Sequence, residues 1–193
     1  MTGAGLMNDA LDRALLREDL AYHQTRVLIL VTSVAGTAGH SGKLDGLTKL
    51  AKLDFLLRYP ALASTVLDPL NPRDARLALA PEDLASPTEV EAPMTRYKYG
   101  PWDDRYYAVI GALVGRGLIR YVKGRRGSVA LVPTPQGKKL VEVLAGAEAW
   151  ATIKDRCDAV AEASANMTGN TLKDLIYERL ADLMNRPHRE VIQ

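Results

Sequence analysis

The 193-residue sequence contains a single cysteine, Cys157. That excludes an internal disulfide and any zinc cluster built on cysteines. Long apolar runs are missing too. The longest, Val27 to Val31, falls far short of the roughly 20 residues that a membrane-spanning helix needs. The opening MTGAGLMNDALDR lacks the basic and apolar regions of a signal peptide, so a soluble, cytoplasmic protein without a membrane partner is expected.

Signatures of chemistry are equally scarce. There is no HExxH, and no Ser–His–acid or Cys–His arrangement is apparent. Asp103 and Asp104 are adjacent, and neighbours on a helix diverge by about 100°, which spoils them as a carboxylate pair. The stretch GTAGHSGK (Gly36 to Lys43) looks like a phosphate loop and fails the test. Such a loop needs four residues between its first glycine and the Gly-Lys pair, then Ser or Thr. Here five residues intervene and Leu44 follows Lys43. The expectation is a chain that is not an enzyme, with no catalytic residues, no cofactor and no metal. Cys157 is expected to be buried and inert.

What the sequence does contain is concentrated between Tyr97 and Leu144. Asp103 is a candidate N-cap, and Tyr106, Val109, Ile110, Leu113 and Val114 recur at helical spacing until Gly115 and Gly117 stop them. Two β-rich runs follow, Leu118 to Val122 and Ser128 to Val132, joined by the glycine-flanked KGRRG. Thr134 and Pro135 then read as the cap and first residue of a closing helix. Helix, hairpin and helix in this order form the second half of a winged helix. The fold class expected is therefore mainly α, an α+β winged helix-turn-helix with a long N-terminal helix, one hairpin wing and C-terminal helices.

Charge follows the same division. From Met94 to Lys139 there are ten bases against two acids, whereas Asp68 to Pro93 has six acids, two bases and five of the ten prolines. The basic stretch implies an anionic partner, and the acidic one reads as an extended insertion. Arg105, Arg116, Arg120, Lys123, Arg125 and Arg126 are the candidate nucleic-acid contacts. Few base-reading groups accompany them: opposite its apolar stripe the Asp103–Gly115 helix carries Arg105, Ala108, Gly111, Ala112 and Gly115. Binding to DNA is expected to be weak and largely independent of sequence.

The flanking regions are helical. Asn8 to Ala35 reads as one long helix in which Leu16, Leu20, His23, Val27, Leu30 and Val34 form a seam of period 3.5. The seam can pack within the chain or against a partner or second copy, with Leu16, Leu20, Val27 and Leu30 as candidate partner contacts. Leu44 to Tyr59 is an amphipathic helix ended by Pro60, with Lys49 and Lys52 on its solvent side and an Asp54–Arg58 pair. Ala61 to Leu67 reads as a helical turn. Trp150, Ile153, Cys157 and Val160 share a face of a later helix. A last helix, Thr171 to Asn185, opens on a Thr171–Asp174 capping pair. The organisation expected is a helix at 1–35, a winged-helix domain at 36–145 interrupted at 68–93, and a helical extension at 146–193.

Four stretches, KLDGLTKLAKLDFLLRYP, RYKYGPWDDRYYAVIGALVGRGLI, TPQGKKL and GNTLKDLIYE, resemble a known family in that order. The family is the winged-helix middle component of bacterial three-component antiphage systems of the Lamassu type, built around an SMC-like ABC ATPase. The resemblance spans roughly Leu44 to Glu178, and KLAKLDFLLRYP and YKYGPWDDRYY are its most distinctive pieces. It implies a non-enzymatic subunit that bridges the ATPase and an effector subunit on DNA. It offers no catalytic residues, and the acidic insertion has no counterpart in it. A stand-alone winged-helix transcription regulator is the competing reading.

Overall fold

The computed structural model describes residues 19–67, 74–77 and 93–192. The chain is mostly helical with a small three-stranded antiparallel sheet. Its central element is α1 (Leu20–Gly36), where Val27 to Val31 are all at most 1% exposed. A helix that is apolar all round must be enclosed all round. Here α1 is covered by the helix α4 (Tyr106–Gly115), by α6 (Glu148–Ala163) and by the sheet. Around it lie β1 (Leu44–Asp45), α2 (Leu47–Arg58) and α3 (Pro60–Leu67). Then come the hairpin β2 (Thr95–Tyr97) and β3 (Gly100–Trp102), followed after α4 by β4 (Ile119–Lys123) and β5 (Val129–Pro133). Helices α5 (Pro135–Ala145), α6, α7 (Gly169–Arg179) and α8 (Ala181–Met184) complete the chain.

The hairpin expected after Leu118 is present, with Ile119 opposite Pro133 and Lys123 opposite Val129. Leu44 and Asp45, expected to be helical, instead pair with Leu131 and Ala130, so the sheet runs β1-β5-β4. Gly46, at φ 96, turns the chain from β1 into α2. Thr134 caps α5 as expected, accepting from the Gly137 N–H at 3.1 Å, with Pro135 in the first turn.

Several expectations change. Helix α1 begins at Leu20, because the Asp19 carboxylate accepts from the Ala21 and Tyr22 N–H groups and caps it there. Leu16 lies outside the described residues. Val27 and Leu30 do not form a partner surface: both are enclosed by the chain's own helices and sheet, and among the described seam candidates only Leu20, 40% exposed, remains open. Helix α7 is capped by Thr168, whose hydroxyl accepts from the Thr171 N–H, rather than by Thr171. The β2–β3 hairpin was not expected; its strands are only three residues each, and the C-terminal tail flanks it through the Arg96 N–H donating to the Glu190 carbonyl at 2.8 Å. Of the acidic insertion, Ala75–Leu77 forms a 3-10 turn held to α6 by Arg76, which bridges Asp74 and Glu162.

One cluster of buried side chains includes Val27, Phe55, Ile110, Leu131, Val160, Ile176 and Ile192. The C-terminal helices therefore share the core of the sheet-bearing region. Cys157 lies in that core, fully buried, and burial pushes its thiol well above the ordinary range.

Candidate functional site

Helix α2 organises three polar features, one inside the molecule and two at its surface. The internal one is an ionic cluster. Asp54, completely buried, accepts from Arg26 Nε at 2.8 Å, from Arg58 at 2.6 Å and from the Tyr106 hydroxyl at 2.6 Å. Arg58 also reaches Asp103 at 2.6 Å, and Arg105 closes on Asp103 at 2.8 Å. The predicted Asp54–Arg58 pair is thus one link in a chain that ties α1, α2 and α4 together. Burial alone would raise the Asp54 carboxyl. The guanidiniums of Arg26 and Arg58, with the hydrogen bonds from Arg26 and Tyr106, hold it well below the usual carboxylate range instead.

Two predicted roles change here. Asp103 is not adjacent to α4, which begins after Arg105; its carboxylate caps the preceding turn, accepting from the Arg105 N–H at 2.9 Å, and, 7% exposed, also serves the cluster. Arg105 is folded back onto Asp103 and His23, which removes it from a row of free phosphate contacts. His23 is a core residue placed between Arg26 and Arg105, each about 3 Å from one ring nitrogen (2.9 and 3.1 Å). Guanidiniums only donate, so a ring nitrogen that carries a lone pair can accept from one of the two.

The second feature is a cationic cleft of about 860 Å³. Its walls are the 39–49 segment, the turn between β4 and β5, and the amino end of α7. Lys43, Lys49, Arg125 and Arg126 line it, with Asp45 as the acid. Asp45 accepts from the Arg125 N–H at 3.0 Å and from the Ser128 hydroxyl at 3.3 Å, which fixes the turn. A side chain at Gly124 would begin 2.3 Å from Asp45 Oδ1, so this clasp needs glycine there. Lys49 was expected on the solvent side and is 5% exposed. Its ammonium donates to His40 Nδ1 at 2.9 Å and to the Met167 carbonyl at 2.5 Å. His40 Nε2 is 2.7 Å from the Ala161 carbonyl, which can only accept, so the proton sits on Nε2 and Nδ1 is free to accept from Lys49. Burial brings the Lys49 ammonium down to about 8; Asp45 opposes the shift and Arg125 adds to it.

The third feature is an aromatic cleft of about 650 Å³, which shares Thr48 of α2 with the cationic cleft. Tyr97, Tyr99 and Tyr107 stand 47%, 52% and 67% exposed around Trp102, whose ring centroid is 6.0 Å from that of Tyr107 and 6.2 Å from that of Tyr97. Its floor is Lys52, also expected at the surface and in fact 1% exposed, which donates to the Pro101 carbonyl at 3.2 Å. Burial, then Arg96 and Lys173 nearby, bring the Lys52 ammonium down to about 7.

The six cations singled out from the sequence do not form one surface. Arg125 and Arg126 meet in the cationic cleft, and Arg120 and Lys123 are exposed along β4. Arg116, at the far end of α4 from Arg105, donates to Gln24 at 2.7 Å. Sequence reasoning missed Lys43 and Lys49, which meet Arg125 and Arg126 only because segments about 80 residues apart pack together, and it missed the tyrosines although Tyr97, Tyr99 and Tyr107 lie close in the chain. Among the described residues no group of three or more His, Cys, Asp or Glu side chains is arranged to hold a metal ion. No family model, curated protein or solved structure matches this chain.

Proposed function

We propose that this chain is a non-catalytic winged-helix adaptor, an interaction subunit that joins an SMC-like ABC ATPase to an effector on DNA. The observation that carries this reading is the outer face of α4. Strand order β1-β5-β4, with α1 and α2 before α4 and the hairpin after it, supports a winged-helix reading in which α4 takes the place of the recognition helix. Its exposed residues are Tyr107, Ala108, Gly111 and Gly115, none of which can pair bidentately with a base edge. An aromatic cleft adjoins it instead, and clustered Tyr and Trp are the side chains that dominate protein–protein hot spots.

The resemblance fits this arrangement. Its two most distinctive stretches, KLAKLDFLLRYP and YKYGPWDDRYY, are the two that meet: Arg58 on Asp103, Tyr106 on Asp54, Lys52 on Pro101. The DNA contact is then carried by phosphates at Arg120, Lys123 and the Arg125–Arg126 turn. A charge-only contact depends steeply on salt and little on sequence.

The test is co-expression with the neighbouring genes. An ATPase subunit should co-elute with this chain, and Tyr99→Ala with Tyr107→Ala should release it while the circular dichroism spectrum stays unchanged. Co-elution that survives both substitutions removes the aromatic cleft from the account. Tight binding of the isolated chain to one duplex, with related duplexes rejected, would make it a transcription regulator.

A further inference from the structure

We propose that the cationic cleft is a binding site for a small polyphosphate anion, two or more linked phosphate groups recognised without regard to any attached base. This is independent of the adaptor reading. Lys43, Lys49, Arg125 and Arg126 converge on the cleft from two segments about 80 residues apart in the chain, facing the single carboxylate of Asp45. That carboxylate is already engaged by the Arg125 N–H and the Ser128 hydroxyl. The excess positive charge at the cleft is therefore left for an incoming anion.

Lys49 is the most informative residue. An ammonium buried to this degree is costly unless paired. Its two assigned acceptors, the His40 ring and the Met167 carbonyl, are both neutral. An ammonium has three N–H donors, so a third remains for a ligand oxygen. His40 cannot share the charge, since its Nε2 proton is committed to the Ala161 carbonyl. Helix α7 adds its amino end. Gly169 and Asn170 are its first two residues, whose N–H groups have no carbonyl within the helix, and eleven residues of helix dipole favour an anion there. The absence of a side chain at Gly169 is what lets this end approach α2: a Cβ there would lie 3.1 Å from the Lys49 backbone nitrogen.

Size and lining decide the class of ligand. At about 860 Å³ the cleft exceeds what one phosphate occupies and accommodates a chain of them. No Phe, Tyr or Trp is among its lining residues, and His40 is engaged on both ring nitrogens, so the cleft offers a base no aromatic platform of the kind that single-strand binders use. The GTAGHSGK stretch contributes Gly39, His40, Ser41 and Lys43 to the walls without being a phosphate loop. Its loop is completed by the Arg125–Arg126 turn and by α7, which a one-segment motif does not describe.

The experiment is calorimetric titration of the full chain with tripolyphosphate, ATP, UTP and orthophosphate at fixed ionic strength. Tripolyphosphate, ATP and UTP should bind with similar affinity, and orthophosphate about tenfold more weakly or worse, since it spans fewer cations. Arg125→Ala with Arg126→Ala, both on an exposed turn, should weaken tripolyphosphate binding about tenfold or more, as should Lys49→Gln if that variant folds. Arg120→Ala, outside the cleft, should leave it unchanged. Between pH 7 and 9 affinity should fall as Lys49, flanked by His40, Asp45 and Arg125, loses its proton. Failure of tripolyphosphate to bind at millimolar concentration, undiminished binding by the turn variant, or binding confined to a 5′-phosphorylated duplex would each overturn the proposal. Co-elution of an ATPase is indifferent to all these outcomes, so the two readings fail separately.

Discussion

At the residue scale the molecule is governed by charges that are inside it. Asp54 holds Arg26, Arg58 and Tyr106, and removing one partner of such a set leaves the others buried and uncompensated. Asp54→Ala should therefore cost about 3–5 kcal/mol in chemical denaturation. An exposed pair such as Arg186–Glu190 should cost less than about 1 kcal/mol. Lys52 makes an opposite kind of prediction, in pH. Its folded value of about 7 lies below the ordinary 10.5, so between these values the unfolded chain binds more protons and stability rises with pH. The Cys157 thiol, raised by burial, subtracts stability above about pH 9, where the unfolded thiol ionises. The window that separates the lysines from Cys157 is thus pH 7 to 9, across which Lys52 should raise stability by about 2 kcal/mol, with Lys49 adding to the rise around pH 8. Melting curves at constant ionic strength would show this rise, and Lys52→Met should remove the larger part of it.

At the scale of elements, α1 illustrates how a heptad-like seam can mislead. Val27 and Leu30 fit a dimer interface as well as a core, since period alone does not say what the apolar stripe faces. Because both are enclosed, Val27→Glu should abolish cooperative melting, whereas Leu20→Glu, at the open end of the helix, should shift it by about 0.5 kcal/mol or less. Equal, mild effects of the two substitutions would restore the seam as an interface. Helix α2 shows the reverse. Lys49 and Lys52 have the sequence appearance of a solvated face, yet the face is covered, by the 39–46 loop and α7 at Lys49 and by β3 at Lys52. A long aliphatic stem buries well, and each ammonium found a backbone carbonyl at its end.

At the scale of the whole molecule, the C-terminal helices are structural. Val160, Leu172 and Ile176 are completely buried in the same cluster as α1 and α2. Ending the chain at residue 145 should therefore yield no cooperatively folded protein, as judged by amide proton dispersion and melting. A stable fragment would mean the 36–145 region carries its own core. The cations are likewise a property of the assembled chain. With about two to four phosphate contacts along β4 and its turn, log affinity for DNA should fall with log salt at a slope of roughly −2 to −4, and Arg125→Ala with Arg126→Ala should remove about 1 to 2 of it.

The sequence by itself determined whatever depends on neighbours in the chain. The β4–β5 hairpin follows from β-rich runs on either side of a glycine-flanked turn, the α5 cap from Thr134 before Pro135, and the Asp54–Arg58 pair from a spacing of four. These are interactions over a few residues, and local propensity decides them. Only the tertiary structure decided what meets across the chain. Two residues of β1 became a strand because β5 lay alongside, Asp103 gained Arg58 as a buried partner while still accepting from the Arg105 N–H, and β2–β3 formed against the C-terminal tail. Both clefts belong to this second class. Their walls come from residues up to about 140 positions apart, and the burial that makes Lys49 and Lys52 distinctive exists only after those segments have packed.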